Sequence, residues 1–183
     1  MKYSRALGAW FLVSVAACVP NGELQRHAPQ KSLNETLSME ADNGDTEAMY
    51  LLALTRKYGI GVEQDDAQVA FYLRKAAERG HAIAQFELGL MHHMGKGVPR
   101  DYAEALRWYR MAAEQGDADA QFSLGVMYEL GEGVPKDYVR AYMWLELASL
   151  GSEGERQKRA ARYRDLIAKE MTRQQVSDAR RLA

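Results

Sequence analysis

The chain has 183 residues, of which 47% are hydrophobic and 27% are charged, and its formal net charge is −1. This length is enough for one domain with a sizeable core, and the composition excludes a chain that is disordered throughout. The single cysteine excludes an internal disulfide and a zinc site built from paired cysteines.

The first 17 residues have the pattern of a secretory signal peptide. Lys2 and Arg5 form a short positive segment, and an uncharged, mostly apolar run follows from residue 6 to residue 17. A helix of this length is too short to cross about 30 Å of hydrocarbon comfortably. We therefore predict a cleaved signal rather than a stable transmembrane helix.

Cys18 ends the apolar run, directly after Val15, Ala16 and Ala17. This segment resembles the lipobox of bacterial lipoproteins, in which an aliphatic residue and two small residues precede the cysteine that receives diacylglycerol. The resemblance implies lipidation at Cys18 and a membrane anchor in the cell envelope. Because Val19 and not aspartate follows, it also implies the outer membrane, with the protein facing the periplasm. The alternative is ordinary signal cleavage nearby, with an incidental thiol at this position.

The residues after the cysteine have no helical periodicity. Residues 18–30 are polar and contain two prolines. Such a composition is typical of a linker, so we predict that they tether the folded part to the membrane.

A repeat of 36 residues organises the rest of the chain. The segments 81–116 and 117–152 are identical at 16 of 36 aligned positions, and a weaker copy occupies residues 45–80. In each copy, apolar residues at three- and four-residue spacings predict two helices, and the intervening glycines and aspartate, with a proline in the second and third copies, predict a turn. Gly89 and Gly125 recur within the first helix, which predicts close approach by its partner helix.

The repeated pattern of Ala, Leu-Gly, Tyr, Gly-x-Gly-Val, Asp, Ala, Trp-Tyr, Ala-Ala and Gly resembles that of the Sel1-like repeat family, a relative of the tetratricopeptide repeats. It covers residues 45–152, and a half copy precedes it. The resemblance implies an all-α fold, an α-solenoid of tandem helix-turn-helix repeats, and a role as an adaptor. We predict a repeat domain over residues 31–152 and capping helices over residues 153–183, with Thr172 capping the last helix.

No residue spacing indicates catalysis. The adjacent His92 and His93 do not converge as metal ligands four residues apart would, and no HExxH motif or nucleophile elbow occurs. Cysteine-rich relatives of the family have been linked to penicillin binding or hydrolysis, but this chain lacks their paired cysteines. We therefore expect no catalytic residue, no metal and no cofactor.

Three aromatic residues recur at the 36-residue spacing on the predicted first helices: Tyr50, Phe86 and Phe122. First helices usually line the concave side of such a stack. The favoured interpretation is that the three rings fill the seams between copies. The other interpretation is an aromatic ladder that binds a partner peptide. Trp108 and Trp144 are predicted to lie in the core.

Two classes of function remain. The first is a protein- or peptide-binding scaffold in envelope assembly or regulation, attached to the membrane by its lipid. The second is an envelope-associated binder of glycan or peptidoglycan, or an accessory to a hydrolase. Nucleic acid is not an expected partner of an exported protein.

Overall fold

The computed structural model describes residues 28–183, so the predicted signal peptide, Cys18 and most of the predicted tether lie outside the described residues. Within that range the chain is entirely helical, with short connections and no strand. The helices are α1 (Ala28–Asp42), α2 (Thr46–Tyr58), α3 (Asp66–Glu78), α4 (Ala82–Met94), α5 (Tyr102–Glu114), α6 (Ala118–Leu130), α7 (Tyr138–Leu150), α8 (Gly154–Ala168) and α9 (Arg173–Leu182). None of these helices is long and apolar enough to cross a bilayer.

The three copies of the repeat form three helix pairs. The pairs are α2 with α3, α4 with α5, and α6 with α7, and each second helix also packs against the first helix of the next pair. This arrangement confirms the predicted all-α stack of helix pairs. Helix α1 packs on α2 and begins at Ala28, three residues before the predicted start of the repeat domain.

Polar side chains at the helix starts explain the sharp boundaries. Five of the six repeat helices begin after an aspartate whose side chain accepts hydrogen bonds from the first turn: Asp45, Asp65, Asp101, Asp117 and Asp137. At the start of α4, His81 takes this place, and its Nδ1 accepts from the backbone N–H of Ala84 at 3.1 Å. Such caps satisfy N–H groups that have no partner within the helix, each stabilising by about 1 kcal/mol.

The Gly-x-Gly turns end the first helix and also contact the preceding copy. Gly95 has a φ of 72°, and its N–H donates to the carbonyl four residues earlier, as a left-handed cap residue does. A Cβ at Gly97 would overlap the backbone carbonyl oxygen of Asp66 in the preceding pair. The same contact recurs one copy later, where a Cβ at Gly133 would lie 2.8 Å from the carbonyl oxygen of Tyr102.

Gly89 and Gly125 bring the two helices of a pair close together, as predicted. A Cβ at Gly89 would lie 2.7 Å from Cδ1 of Tyr109, and one at Gly125 would lie 2.6 Å from Cγ of Leu145. Both partner side chains are fully buried. Any larger residue at the two glycine positions would therefore push the helices apart.

Tryptophan burial agrees with the prediction in one copy only. Trp108 is buried, but its counterpart Trp144 is partly exposed and packs at the edge of the core. Trp144 was predicted to be a core residue, but it is only partly buried.

A polar contact recurs where each second helix meets the next first helix. Nη2 of Arg74 lies 3.4 Å from Nε2 of His92, and 36 residues later Arg110 donates from Nη2 to the hydroxyl of Tyr128 at 2.9 Å. Each contact joins one copy to the next beside the core. The copies are therefore held by matched polar contacts as well as by apolar packing.

The C-terminal helices continue this pattern and cover the last copy. Arg164 on α8 pairs with Glu146 on α7. Glu146 occupies the repeat position of Arg110, and Arg164 occupies that of Tyr128, so the arginine is now on the later of the two helices. On α8, Ala160 and Ile167 are buried. Helix α9 starts with a capping box at Thr172, as predicted, and packs on α7. These contacts confirm the predicted capping helices.

Candidate functional site

The exposed and partly exposed side chains of α2, α4, α6 and α8 form the surface that we call the first-helix face. Ion pairs join α2 to α4 and α6 to α8 across this surface. Lys57 Nζ on α2 lies 2.8 Å from Glu87 Oε2 on α4. On α6, Asp119 lies 3.3 Å from Arg156 and 3.7 Å from Arg159, both of which belong to α8.

Tyr50 lies at the seam between the first and second copies. Its ring stacks on His81 with 4.6 Å between the ring centroids, and its hydroxyl donates to Glu87 Oε1 at 3.4 Å. Burial and the nearby Glu87 carboxylate both raise the pKa of Tyr50, so the phenol stays neutral. The ring is partly buried, and its contacts explain its orientation without any ligand.

Phe86 and Phe122 are also partly buried, but their neighbours differ. Phe86 lies 5.7 Å from Tyr109 of its own copy, measured between ring centroids. Phe122 lies 5.7 Å from Tyr163 on α8, and the Arg159 guanidinium lies 4.1 Å from its ring centroid. The aromatic residues Tyr50 and Phe122 thus contact the following unit, as seam residues would, while all three keep part of their area on the first-helix face. Partner binding by the three rings stays a prediction.

A second row on this face is more exposed than the aromatic ladder. The last residue of each first helix in the three copies, and its equivalent on α8, is a large apolar residue that is 54–57% exposed; the four are Tyr58, Met94, Leu130 and Leu166. We call these four residues the edge row. The edge row was not predicted above, although its four members recur at the 36-residue spacing.

Apolar side chains one helical turn earlier widen this surface. Leu54, Leu90 and Val126 each lie four residues before a member of the edge row and are partly buried. Residues four apart share one side of a helix. The first-helix face therefore carries an apolar strip that recurs in all three copies.

The described residues show no cluster of side chains typical of a metal site. Among residues 28–183, no group of three or more His, Cys, Asp or Glu side chains could hold a metal ion. His92 is buried beside Arg74, whereas Nε2 of His93 faces Glu132 at 3.5 Å. The two adjacent histidines thus belong to separate structural contacts.

Comparison with known proteins identifies the repeat. The model of the Sel1 repeat matches residues 46–81, 82–117 and 118–152, which together make up more than half of the chain. The chain belongs to the Sel1 repeat family. Each matched unit starts one residue later than the 36-residue segments aligned above. Proteins built from this repeat are generally scaffolds. No curated protein matches significantly.

Solved structures with the same fold include three bacterial proteins. A protective antigen of uropathogenic Escherichia coli strains with an SLR fold is 34% identical, with a TM-score of 0.72 over 81% of this chain and 31% of its own. A Sel1 repeat protein from Oxalobacter formigenes is 35% identical, with a TM-score of 0.59 over 63% of this chain and 45% of its own. The chain thus spans less than half the length of these two relatives.

The third structure shows similarity in fold alone. The cysteine-rich protein B of Helicobacter pylori is 24% identical, with a TM-score of 0.53 over 67% of this chain and 93% of its own. The chain described here has one cysteine in total. The helix-pair architecture therefore forms in this chain without an internal disulfide.

Proposed function

We propose that this chain is an exported, lipid-anchored adaptor of the cell envelope that binds a protein or peptide on its first-helix face. The observation that supports binding is the apolar strip that recurs in the three copies, because large exposed apolar patches on soluble domains usually mark interaction sites. The strip runs across three stacked copies, as an extended binding surface requires. Sel1 repeats commonly mediate contacts between proteins.

The proposed anchor is diacylglycerol on Cys18, which places the repeats in the periplasm at the outer membrane. Support comes from the apolar run of residues 6–17, the small residues before Cys18 and Val19 after it. In this proposal the chain has no catalytic role, and its activity is to hold a partner near the membrane.

The anchor is tested by labelling cells with radioactive palmitate and comparing the wild type with Cys18→Ser. The wild type is expected to take up label and to fractionate with the outer membrane, whereas the variant is expected to be unlabelled and to persist as an unprocessed precursor. A variant that still takes up label and fractionates as before would show that Cys18 is not the lipidation site.

Binding is tested with a photo-crosslinking amino acid at Ile83, which is 49% exposed at the start of α4 on the first-helix face. The matched control is Phe71, which is 48% exposed but lies on the second helix α3. Irradiation of living cells is expected to yield discrete protein adducts from position 83 and none of the same mass from position 71.

The glycan alternative predicts a different result in the same strains. If position 83 gives no protein adduct above the control and the purified chain sediments with isolated peptidoglycan, the adaptor proposal is wrong and a cell-wall binder replaces it. If the adducts form and sedimentation with peptidoglycan fails, the adaptor proposal stands.

A further inference from the structure

Within residues 28–183, no side chain covers the edge row. Its four side chains remain more than half exposed although they recur in every copy and in the cap. The exposed positions differ in residue type, being tyrosine, methionine and two leucines, but share large apolar character. Exposure of such residues is costly for solubility unless another surface covers them.

The charges beside the edge row change sign half-way along it. Lys57 and His93 directly precede its first two members, whereas Glu129 and Asp165 directly precede its last two. A lysine therefore flanks the first half of the row and two carboxylates flank its second half, with His93 counted as neutral at pH 7. Lys57 already pairs with Glu87, and Asp165 already pairs with Arg164.

The second and third turns differ in charge at one position beside the row. Lys96 follows Met94 by two residues, and Glu132 follows Leu130 by two residues. The side chains of Lys96 and Glu132 are 56% and 26% exposed, and each already contacts one charge of its own chain, Asp66 and His93 respectively. The sign change thus lies between Met94 and Leu130 on both sides of the row.

We propose that two copies of this chain pair through the edge row in antiparallel orientation, about a two-fold axis between Met94 and Leu130. In such a pair each contact occurs twice, because the same surface is used by both subunits. Tyr58 then faces Leu166 of the partner subunit, and Met94 faces Leu130 of the partner subunit. This inference goes beyond the proposed adaptor function: the second chain covers the edge row, and the rest of the first-helix face, which includes Ile83, is left to the partner.

Charge selects the antiparallel orientation over the parallel one. Antiparallel pairing places Lys57 opposite Asp165 of the partner subunit and Lys96 opposite Glu132 of the partner subunit. Parallel pairing would place each of these side chains opposite the same residue of the partner subunit. Like charges face to face disfavour an arrangement, and complementary rim charges fix its register.

The size of the surface indicates a weak dimer. First helices that pack on one intervening helix are about 10 Å apart, so a row over four of them is about 30 Å long. With the flanking residues, a width of about 20 Å gives roughly 600 Å² per subunit, or roughly 1,200 Å² in total, which is the lower end for specific interfaces. Association is therefore expected at micromolar concentrations.

Disulfide trapping tests the orientation directly. In the full chain carrying Cys18→Ser, one variant has Tyr58→Cys and another has Leu166→Cys, both at exposed positions. Mild oxidation of the mixture is expected to join the two variants, while each variant alone is expected to give only background. In the antiparallel pair like positions at the row ends are about 30 Å apart, far beyond the Cα separation of about 6 Å that a disulfide needs.

The matched control replaces Tyr58→Cys by Phe71→Cys, which has a similar exposed fraction but lies off the row. Mixing it with Leu166→Cys is expected to give background only. The proposal is wrong if the mixture with Tyr58→Cys does not exceed this control. It is equally wrong if Tyr58→Cys alone cross-links as well as the mixture does, because that result indicates parallel pairing.

Sedimentation of the full chain with Cys18→Ser at increasing concentration supplies a second readout. Met94→Ser with Leu130→Ser is expected to weaken dimerisation by roughly tenfold or more, with an unchanged melting temperature at low concentration. Lys96→Glu is expected to weaken it, and Lys96→Glu with Glu132→Lys to restore it. A chain that is monomeric at every concentration would overturn the proposal and leave the row to another partner, whatever the outcome of crosslinking at Ile83.

Discussion

A Cβ atom at Gly89 would lie 2.7 Å from the ring of Tyr109, so this glycine sets how closely α4 and α5 approach each other. The ring is 1% exposed and cannot move toward solvent without opening the core. By the 36-residue repeat, the first copy has Ala53 and Leu73 at the same two positions. The third copy has the close approach with Gly125 and Leu145, whereas the first copy accommodates an alanine opposite a leucine.

Gly89→Ala is expected to lower the free energy of unfolding by about 1–3 kcal/mol, because overpacking outweighs the gain of about 1 kcal/mol in helix propensity. Urea denaturation followed by circular dichroism measures the change. Tyr109→Leu in the same chain, which recreates the pair of the first copy, is expected to recover part of the loss in a double-mutant cycle. An alanine variant as stable as the wild type would show that the two helices can separate at no cost.

Comparing the stabilities of Gly97→Ala and Gly116→Ala separates the cost of backbone strain from the cost of a clash with the preceding copy. Both glycines have positive φ, 70° and 89°, so alanine is strained at either position. Only at Gly97 would the new Cβ also overlap the carbonyl oxygen of Asp66, since nothing lies within 4 Å of a Cβ at Gly116. The expected loss of stability is about 1 kcal/mol at Gly116 and clearly larger at Gly97. Equal melting temperatures would mean that the turn does not press on the preceding copy.

His81 replaces the aspartate that caps the other first helices in the repeats, and its tautomer follows from its contacts. Nδ1 accepts from the N–H of Ala84, so the proton is on Nε2, which faces Glu47 Oε2 at 3.3 Å. His81→Ala is expected to cost about 1 kcal/mol, and His81→Asn to cost only a few tenths. Thermal denaturation at pH 8 compares the two variants. If asparagine destabilises as much as alanine, the ring stacking with Tyr50 and not the cap is what matters.

The repeat period and the cap residues explain why most of the fold could be predicted. A 36-residue repeat with recurrent glycines and aspartates determines helix boundaries through local backbone geometry, which the sequence displays directly. Exposure is different, because it depends on how neighbouring copies stack. Trp144 aligns with Trp108 but is less buried, since the last copy is covered by the different sequence of the cap.

The edge row was missed for a related reason. A search for identical residues between copies finds Phe86 and Phe122, whereas Met94 and Leu130 share only size and hydrophobicity. Position alone does not reveal that the last residue of a first helix points away from the core. The close approach at Gly89 was predictable because a glycine within a helix costs about 1 kcal/mol relative to alanine, and a contact that leaves no room for a Cβ offsets that cost.

The C-terminal helices are expected to act as a lid on the last helix pair. Ile167 of α8 packs with Tyr128, Ala141 and Leu145, all of them buried. On α9, Arg180 donates to the hydroxyl of Tyr142 at 3.0 Å. Leu166 directly precedes Ile167 on α8 but is 55% exposed. The lid thus depends on fewer apolar contacts than the sequence pattern indicates.

Deleting residues 153–183 is expected to expose the core side of α7 and to lower stability by several kcal/mol, since about 25 cal/mol is lost per Å² of apolar surface uncovered.

Point variants distinguish a lid from a free basic tail. Ile167→Ala is expected to cost about 2–4 kcal/mol, whereas Leu166→Ala is expected to stay within about 0.5 kcal/mol. Glutamine at Arg156, Lys158, Arg159 and Arg162 is expected to change little, because these ion pairs are exposed. Thermal denaturation at low protein concentration measures all of these. A truncated chain that melts within a degree or two of the full chain would reject the lid.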